Sequence, residues 1–163
     1  MALHHRLLGL GARLAWRIAR PRTIGVRAVL LDPADRVALL RHTYIDGWYL
    51  PGGGVHKGEA IAHALVRELA EELAVADARV ERVLGVYHNR REGKDDHVIV
   101  YVARAPDDML RGADTLEVAE VGWFAPDALP PGTTPATKRR IEEWRRGIRA
   151  AGTGSVGGNL PTP

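Results

Sequence analysis

Two hydrophobic periods follow one another along this chain. Leu3, Leu7, Leu10, Leu14 and Ile18 recur at three- and four-residue spacing, which predicts an amphipathic helix over Leu3–Ala19. Arg6, Arg13, Arg17 and Arg20 cluster beside that stripe, Gly9 and Gly11 weaken it, and Pro21 ends it. From Thr23 the pattern becomes aliphatic and β-branched. TIGVRAVLL (Thr23–Leu31) and RVALLRH (Arg36–His42) flank Asp32-Pro33-Ala34-Asp35, a turn-rich tetrapeptide, so a hairpin is expected. Trp48–Leu50 reads as a short strand stopped at Pro51, and a glycine-rich loop leads into a helix over Ala60–Leu73. Strands are predicted over Val80–Asn89 and His97–Arg104, joined by a charged loop, and over Glu120–Phe124. A short helical turn at Pro126–Leu129 and a long helix over Thr134–Ala150 follow, with Thr134 as N-cap before Pro135.

These elements predict an α/β fold, a sheet with helices packed on its faces. The expected division is a basic helical segment over residues 1–22, one domain over 23–150, and a disordered tail over 151–163, where GTGSVGGNLPTP has little to bury. A length of 163 residues suits one cored domain. No run approaches the ~20 apolar residues of a membrane span. Cysteine is absent, which excludes disulfides, thiolate catalysis and cysteine-based zinc sites, and a reducing cytoplasm is the expected location.

Net charge is +3, and no acidic residue precedes Asp32. Such a surface draws anions: nucleotides, nucleic acid or anionic lipid. The N-terminal stripe is expected to dock on the domain or on a second copy in a homodimer, ahead of peripheral contact with a membrane. Nucleic acid is the less favoured partner, because no separate RNA-binding segment is evident.

The segment PGGGVHKGEAIAHALVRELAEELAV (Pro51–Val75) carries the chemistry. On its helix, Glu68, Glu71 and Glu72 fall within an arc of roughly 100°. Like charges three and four residues apart cost a few tenths of a kcal/mol each, and a hard divalent cation is the natural compensation. Ile61, Leu65, Leu69 and Leu73 form a ladder facing the sheet, and Arg67 stands one turn before Glu71. Taken alone, three glutamates suit a solvated acidic face; their surroundings decide otherwise.

Gly53, Glu59, Arg67, Glu68, Leu69, Glu71, Glu72 and Val75 stand at the spacings of the Nudix box, so the chain resembles the Nudix hydrolases from about Thr23 to Ala150. Trp48–Gly52 and Val121–Pro126 resemble the family's usual surroundings. The resemblance implies an α/β/α sandwich around a mixed sheet, and hydrolysis of a nucleoside diphosphate linked to another moiety with Mg²⁺, or sometimes Mn²⁺. It implies Glu68, Glu71 and Glu72 as metal ligands, with one of them or a carboxylate on a later loop activating water. Glu68, Glu71 and Arg67 are the catalytic candidates; Glu59 would support the site, and Gly53 and Gly54 would let backbone approach the ligand. One departure is Ala74 where the box has glycine. Alanine costs about 1 kcal/mol in a left-handed helix end, so a shifted helix end is expected.

Weaker candidates surround the box. Tyr44, Trp48, Tyr49 and Tyr87 offer rings for a base, although core packing is the readier reading of each. Arg41 and Arg90 could bind phosphate, and Glu117 and Glu120 could add a carboxylate. No metal-ligand spacing relates His42, His56, His63, His88 and His97. A non-catalytic nucleotide-sensing or partner-binding module on the same fold is the alternative to a hydrolase, and the complete carboxylate set weighs against it.

Overall fold

A computed structural model describes residues 22–89, 95–110 and 116–152. The segments 1–21 and 153–163 and residue Arg90 therefore lie outside the described residues, and with them the expected N-terminal helix and all of the expected tail except residues 151 and 152, which are helical.

Five strands and two helices follow in the order β1 (Arg22–Leu31), β2 (Val37–His42), α1 (Ile61–Leu73), β3 (Arg79–Asn89), β4 (Asp95–Arg104), β5 (Val118–Phe124) and α2 (Pro135–Gly152). They build one mixed sheet in the order β3-β4-β1-β2-β5. The central β1 runs parallel to β4, while β3–β4 and β2–β5 are antiparallel. Alternation along β1 divides the core. Val26, Ala28 and Leu30 face α1 through Leu65, Leu69 and Leu73. Val29 and Leu31 face α2 through Ile141 and Trp144. A helix on each face of a mixed sheet is the expected sandwich. The period-two and period-3.6 stripes meet there, each fully buried leucine contributing roughly 1.5–3 kcal/mol.

The predicted hairpin forms only at its turn. β1 and β2 pair at Leu31 and Val37 and then separate, and residues 49–55 fill the gap between them. Leu40 and Tyr49 exchange backbone bonds of 3.0 and 2.9 Å. On the other side, Ala28 N–H donates to Pro51 at 3.0 Å, Val26 N–H to Gly53 at 2.9 Å, and Val55 N–H to Ile24 at 2.9 Å. The Trp48–Leu50 strand is thus reduced to isolated bridges. Gly52 is obligatory in this wedge. Its φ is +131°, and a Cβ would lie 2.2 Å from the Val26 carbonyl oxygen.

Several boundaries differ from expectation, among them the end of α2 at Gly152 in place of Ala150. β4 begins at Asp95 and β5 at Val118, each two residues early, because ladder partners on β1 and β2 extend them. Pro126–Leu129 is a hydrogen-bonded turn closed by Ala128 N–H to Ala125, not a helical turn. The helix end at Ala74 does not shift: the alanine itself takes φ 57° and ψ 30°, and its N–H donates to the Ala70 carbonyl. Burial of Leu73 and Val75 on either side holds the chain in that register. At the second helix, Thr134 caps as expected, its Oγ1 accepting from Thr137 N–H at 3.3 Å.

Candidate active site

The wedge between β1 and β2 brings the glycine loop against the carboxylate face of α1. Three fully buried leucines, Leu65, Leu69 and Leu73, fix the rotation of that helix. Glu68 and Glu72 are thereby turned toward residues 52 and 53. The Gly52 N–H donates to Glu72 Oε2 at 2.7 Å. A Cβ on Gly53 would come within 2.3 Å of the Glu68 carboxylate, so glycine is what admits that side chain. Gly54 is exposed, and a Cβ there would meet nothing. Only its carbonyl takes part, accepting from Arg67 Nη2 at 2.9 Å.

Arg67 is the hub. Its Nε and Nη2 donate to the two Glu59 oxygens at 2.9 and 3.1 Å, and its Nη1 donates to Glu68 at 2.8 Å and Glu71 at 3.1 Å. The one-turn pairing with Glu71 is as the spacing implies. The guanidinium holds the Glu59 carboxyl down at about 2, helped by the His56 N–H that donates to it, while Glu59 raises the Arg67 pKa. Arg67 touches three carboxylates and a carbonyl, so its guanidinium fixes the positions of these groups relative to one another.

Glu72 stands apart. Burial pushes its carboxyl up to about 7; the Gly52 N–H and the charge of Arg27 oppose this, and Glu68 and Glu117 reinforce it. A buried acid with one donor and two like-charged neighbours favours a proton, or a cation in its place. The donor set, all carboxylate oxygen, matches a hard divalent ion. Among the described residues, however, no three such side chains converge into a ready metal cluster. The reason is geometric. Arg67 draws Glu68 and Glu71 to one side, and Gly52 draws Glu72 to the other.

The weaker candidates sort cleanly. Glu117 lies near enough for its charge to act on Glu72, and its backbone oxygen accepts from Thr43 N–H at 2.9 Å beside the end of β2. Glu120 instead faces Arg41 across the β2–β5 ladder, 3.4 Å away. Arg41 lies over the Trp48 ring, and Trp48 is buried edge-on against Phe124, so Trp48 is a core residue and not an open stacking surface. Tyr87 is likewise structural, under Arg140 and donating to Glu143 at 2.6 Å. Tyr49 donates to the Asp46 carbonyl. Tyr44 remains open, 69% exposed and stacked on His42 at 5.0 Å. Sequence reasoning passed over Arg27, although an arginine inside an aliphatic strand run is itself a signal. In the glycine loop the Gly52 amide is taken up by Glu72, while the carbonyls of Pro51 and Gly53 accept from β1 and the Val55 N–H donates to it.

Residues 21–145 match the NUDIX domain family model, and the chain belongs to that family. It is a Nudix hydrolase. A Bacillus subtilis (strain 168) protein provisionally named as an 8-oxo-dGTP diphosphatase is 30% identical over 127 residues, 78% of this chain and 83% of that one. Human diphosphoinositol polyphosphate phosphohydrolase 2 is 27% identical over 135 residues, covering 80% of this chain and 73% of its own length. The crystal structure of a MutT NUDIX hydrolase from Burkholderia pseudomallei superimposes with a TM-score of 0.64 at 29% identity, over 75% of this chain and 97% of that one.

Proposed function

We propose that this chain is a divalent-metal-dependent pyrophosphohydrolase, with Mg²⁺ or Mn²⁺ as cofactor, acting on a nucleoside diphosphate linked to a further group. The single observation that supports it most is Glu72, a partly buried carboxyl held by one amide within reach of the charges of Glu68 and Glu117. The names of the relatives share one denominator, a phosphoric anhydride on a larger organic group, and that class is what we carry over. Residues 23–150 are the catalytic unit in this reading, and residues 1–22 an attachment to it.

Glu68, Glu71 and Glu72 would hold the ion, Glu68 and Glu71 turning away from Arg67 to do so. When bound, such an ion screens phosphate charge, acidifies water and stabilises the leaving oxygen. The water oxygen bonds to phosphorus while the bridging P–O bond breaks, its electron pair leaving with the departing phosphate. The proton lost by water goes to a carboxylate of the site, Glu117 being the one outside the helix. Arg67 gathers Glu59, Glu68 and Glu71 around one guanidinium, whose charge offsets their mutual repulsion. Glu72→Gln preserves volume and an acceptor for the Gly52 N–H. It is expected to lower Mg²⁺-dependent hydrolysis of a nucleotide panel about a thousandfold, the rate equivalent of about 4 kcal/mol. Equal product release by the two proteins would sink the hydrolytic reading.

A further inference from the structure

In sequence, Arg27 is one of six arginines ahead of Asp32; in the fold it sits under the glycine loop. It pairs with Val100 in the β1–β4 ladder, and a Cβ on Gly52 would lie 2.9 Å from its Cα. Its charge reaches Glu72, His42 and Tyr44. Yet among the described residues no carboxylate forms an ion pair with it, and its Nη1 is buried without a hydrogen-bond partner. The other cations of the site are committed, Arg67 to Glu59, Glu68 and Glu71, and Arg41 to Glu120. A second buried atom without a partner, His42 Nδ1, belongs to the same cluster. Buried donors on charged groups are costly when unpaired, so an orphan beside a reactive site marks a place that a ligand completes.

We propose that Arg27 anchors the substrate's diphosphate, its buried Nη1 N–H donating to a non-bridging phosphoryl oxygen. This rests on the hydrolytic reading for the identity of the anion but not for its binding. Anionic oxygen supplies the acceptor that the orphaned nitrogen lacks, and a guanidinium is suited to phosphate by charge and by its fork of donors. The same charge offsets the accumulation of negative charge when a diphosphate approaches Glu68, Glu72 and Glu117.

The test titrates the full chain with methylenediphosphonate plus Mg²⁺ by calorimetry. That probe has no base and no hydrolysable bridge, so neither stacking nor turnover enters. Wild type should bind, Arg27→Met should bind at least ~10-fold more weakly, and Arg27→Lys should retain part of the affinity. With a hydrolysed nucleotide, the same variants should raise KM by a similar factor and change kcat less. Binding by Arg27→Met within twofold of wild type overturns the proposal, as does a wild type that ignores the probe. Should Arg27→Met fail to fold, Arg27→Gln and Arg27→Lys carry the comparison, and equal affinity in both and in wild type overturns it. Loss of probe binding in the variants of a wild type that hydrolyses nothing would leave the anchor standing and defeat the hydrolytic reading. Hydrolysis with affinity indifferent to Arg27 would do the reverse.

Discussion

Two carboxyl groups near β1, one fully enclosed and one partly buried, are treated in opposite ways. Asp32, at the turn where β1 and β2 still meet, is completely enclosed. It accepts from Ala34 N–H at 3.0 Å, Arg36 N–H at 2.8 Å and Arg36 Nε at 2.6 Å. Glu72, where the strands have separated, accepts from the Gly52 N–H and faces Glu68 and Glu117. The first is a closed structural knot: every lone pair it needs is answered within five residues of chain. The second is open chemistry, a charge-bearing group kept dry and short of partners. Burial alone does not distinguish a structural acid from a functional one; the count and sign of its neighbours do.

That contrast can be broken from either side. Asp32→Ala strips three donors of their acceptor and is expected to cost about 3 kcal/mol in urea unfolding, with kcat per folded molecule unchanged. A loss under 1 kcal/mol would mean that solvent reaches the turn and that the knot is not closed. Glu72 should act through pH. Burial pushes its carboxyl up to about 7, above the 4.5 of an ordinary glutamate. Its stabilising contribution is therefore complete below about pH 4.5 and is lost as pH rises through about 7. Metal-free protein should lose on the order of 2–3 kcal/mol over that window on account of this group. Glu72→Gln should flatten the profile, and Mg²⁺ should restore stability at pH 8 more than at pH 5. An identical profile in the variant would remove Glu72 from the buried, under-partnered class. The smallest effect belongs to the helix end at Ala74. Ala74→Gly relieves a left-handed alanine and should raise unfolding free energy by about 1 kcal/mol, leaving hydrolysis as it was. No gain would show that packing of Leu73 and Val75, not backbone preference, sets that turn.

Much of this was legible in the chain, for local reasons. The leucine ladder of α1, the aliphatic strand runs, the Thr134 cap and the spacing of Gly53, Glu59, Arg67, Glu68, Glu71 and Glu72 are all encoded within a few residues of one another. Side-chain period and turn chemistry act at that range. The spacing even placed Arg67 on Glu71. The positive φ of Ala74 was harder to read, since a preference worth about 1 kcal/mol yields to the burial of two flanking side chains.

By itself, then, the sequence determined the elements, their apolar faces, and the helix that carries three carboxylates beside a glycine loop. Tertiary structure decided what each polar group meets. The separation of β1 from β2, with residues 49–55 wedged between, is a long-range event that no window of sequence contains. From it follow the partial burial of Glu72, the reach of the Glu117 charge to it, the withdrawal of Trp48 into the core and, among the described residues, the lack of an ion pair at Arg27. Propensity and period are properties of neighbours along the chain, whereas desolvation and charge coupling depend on distance in space.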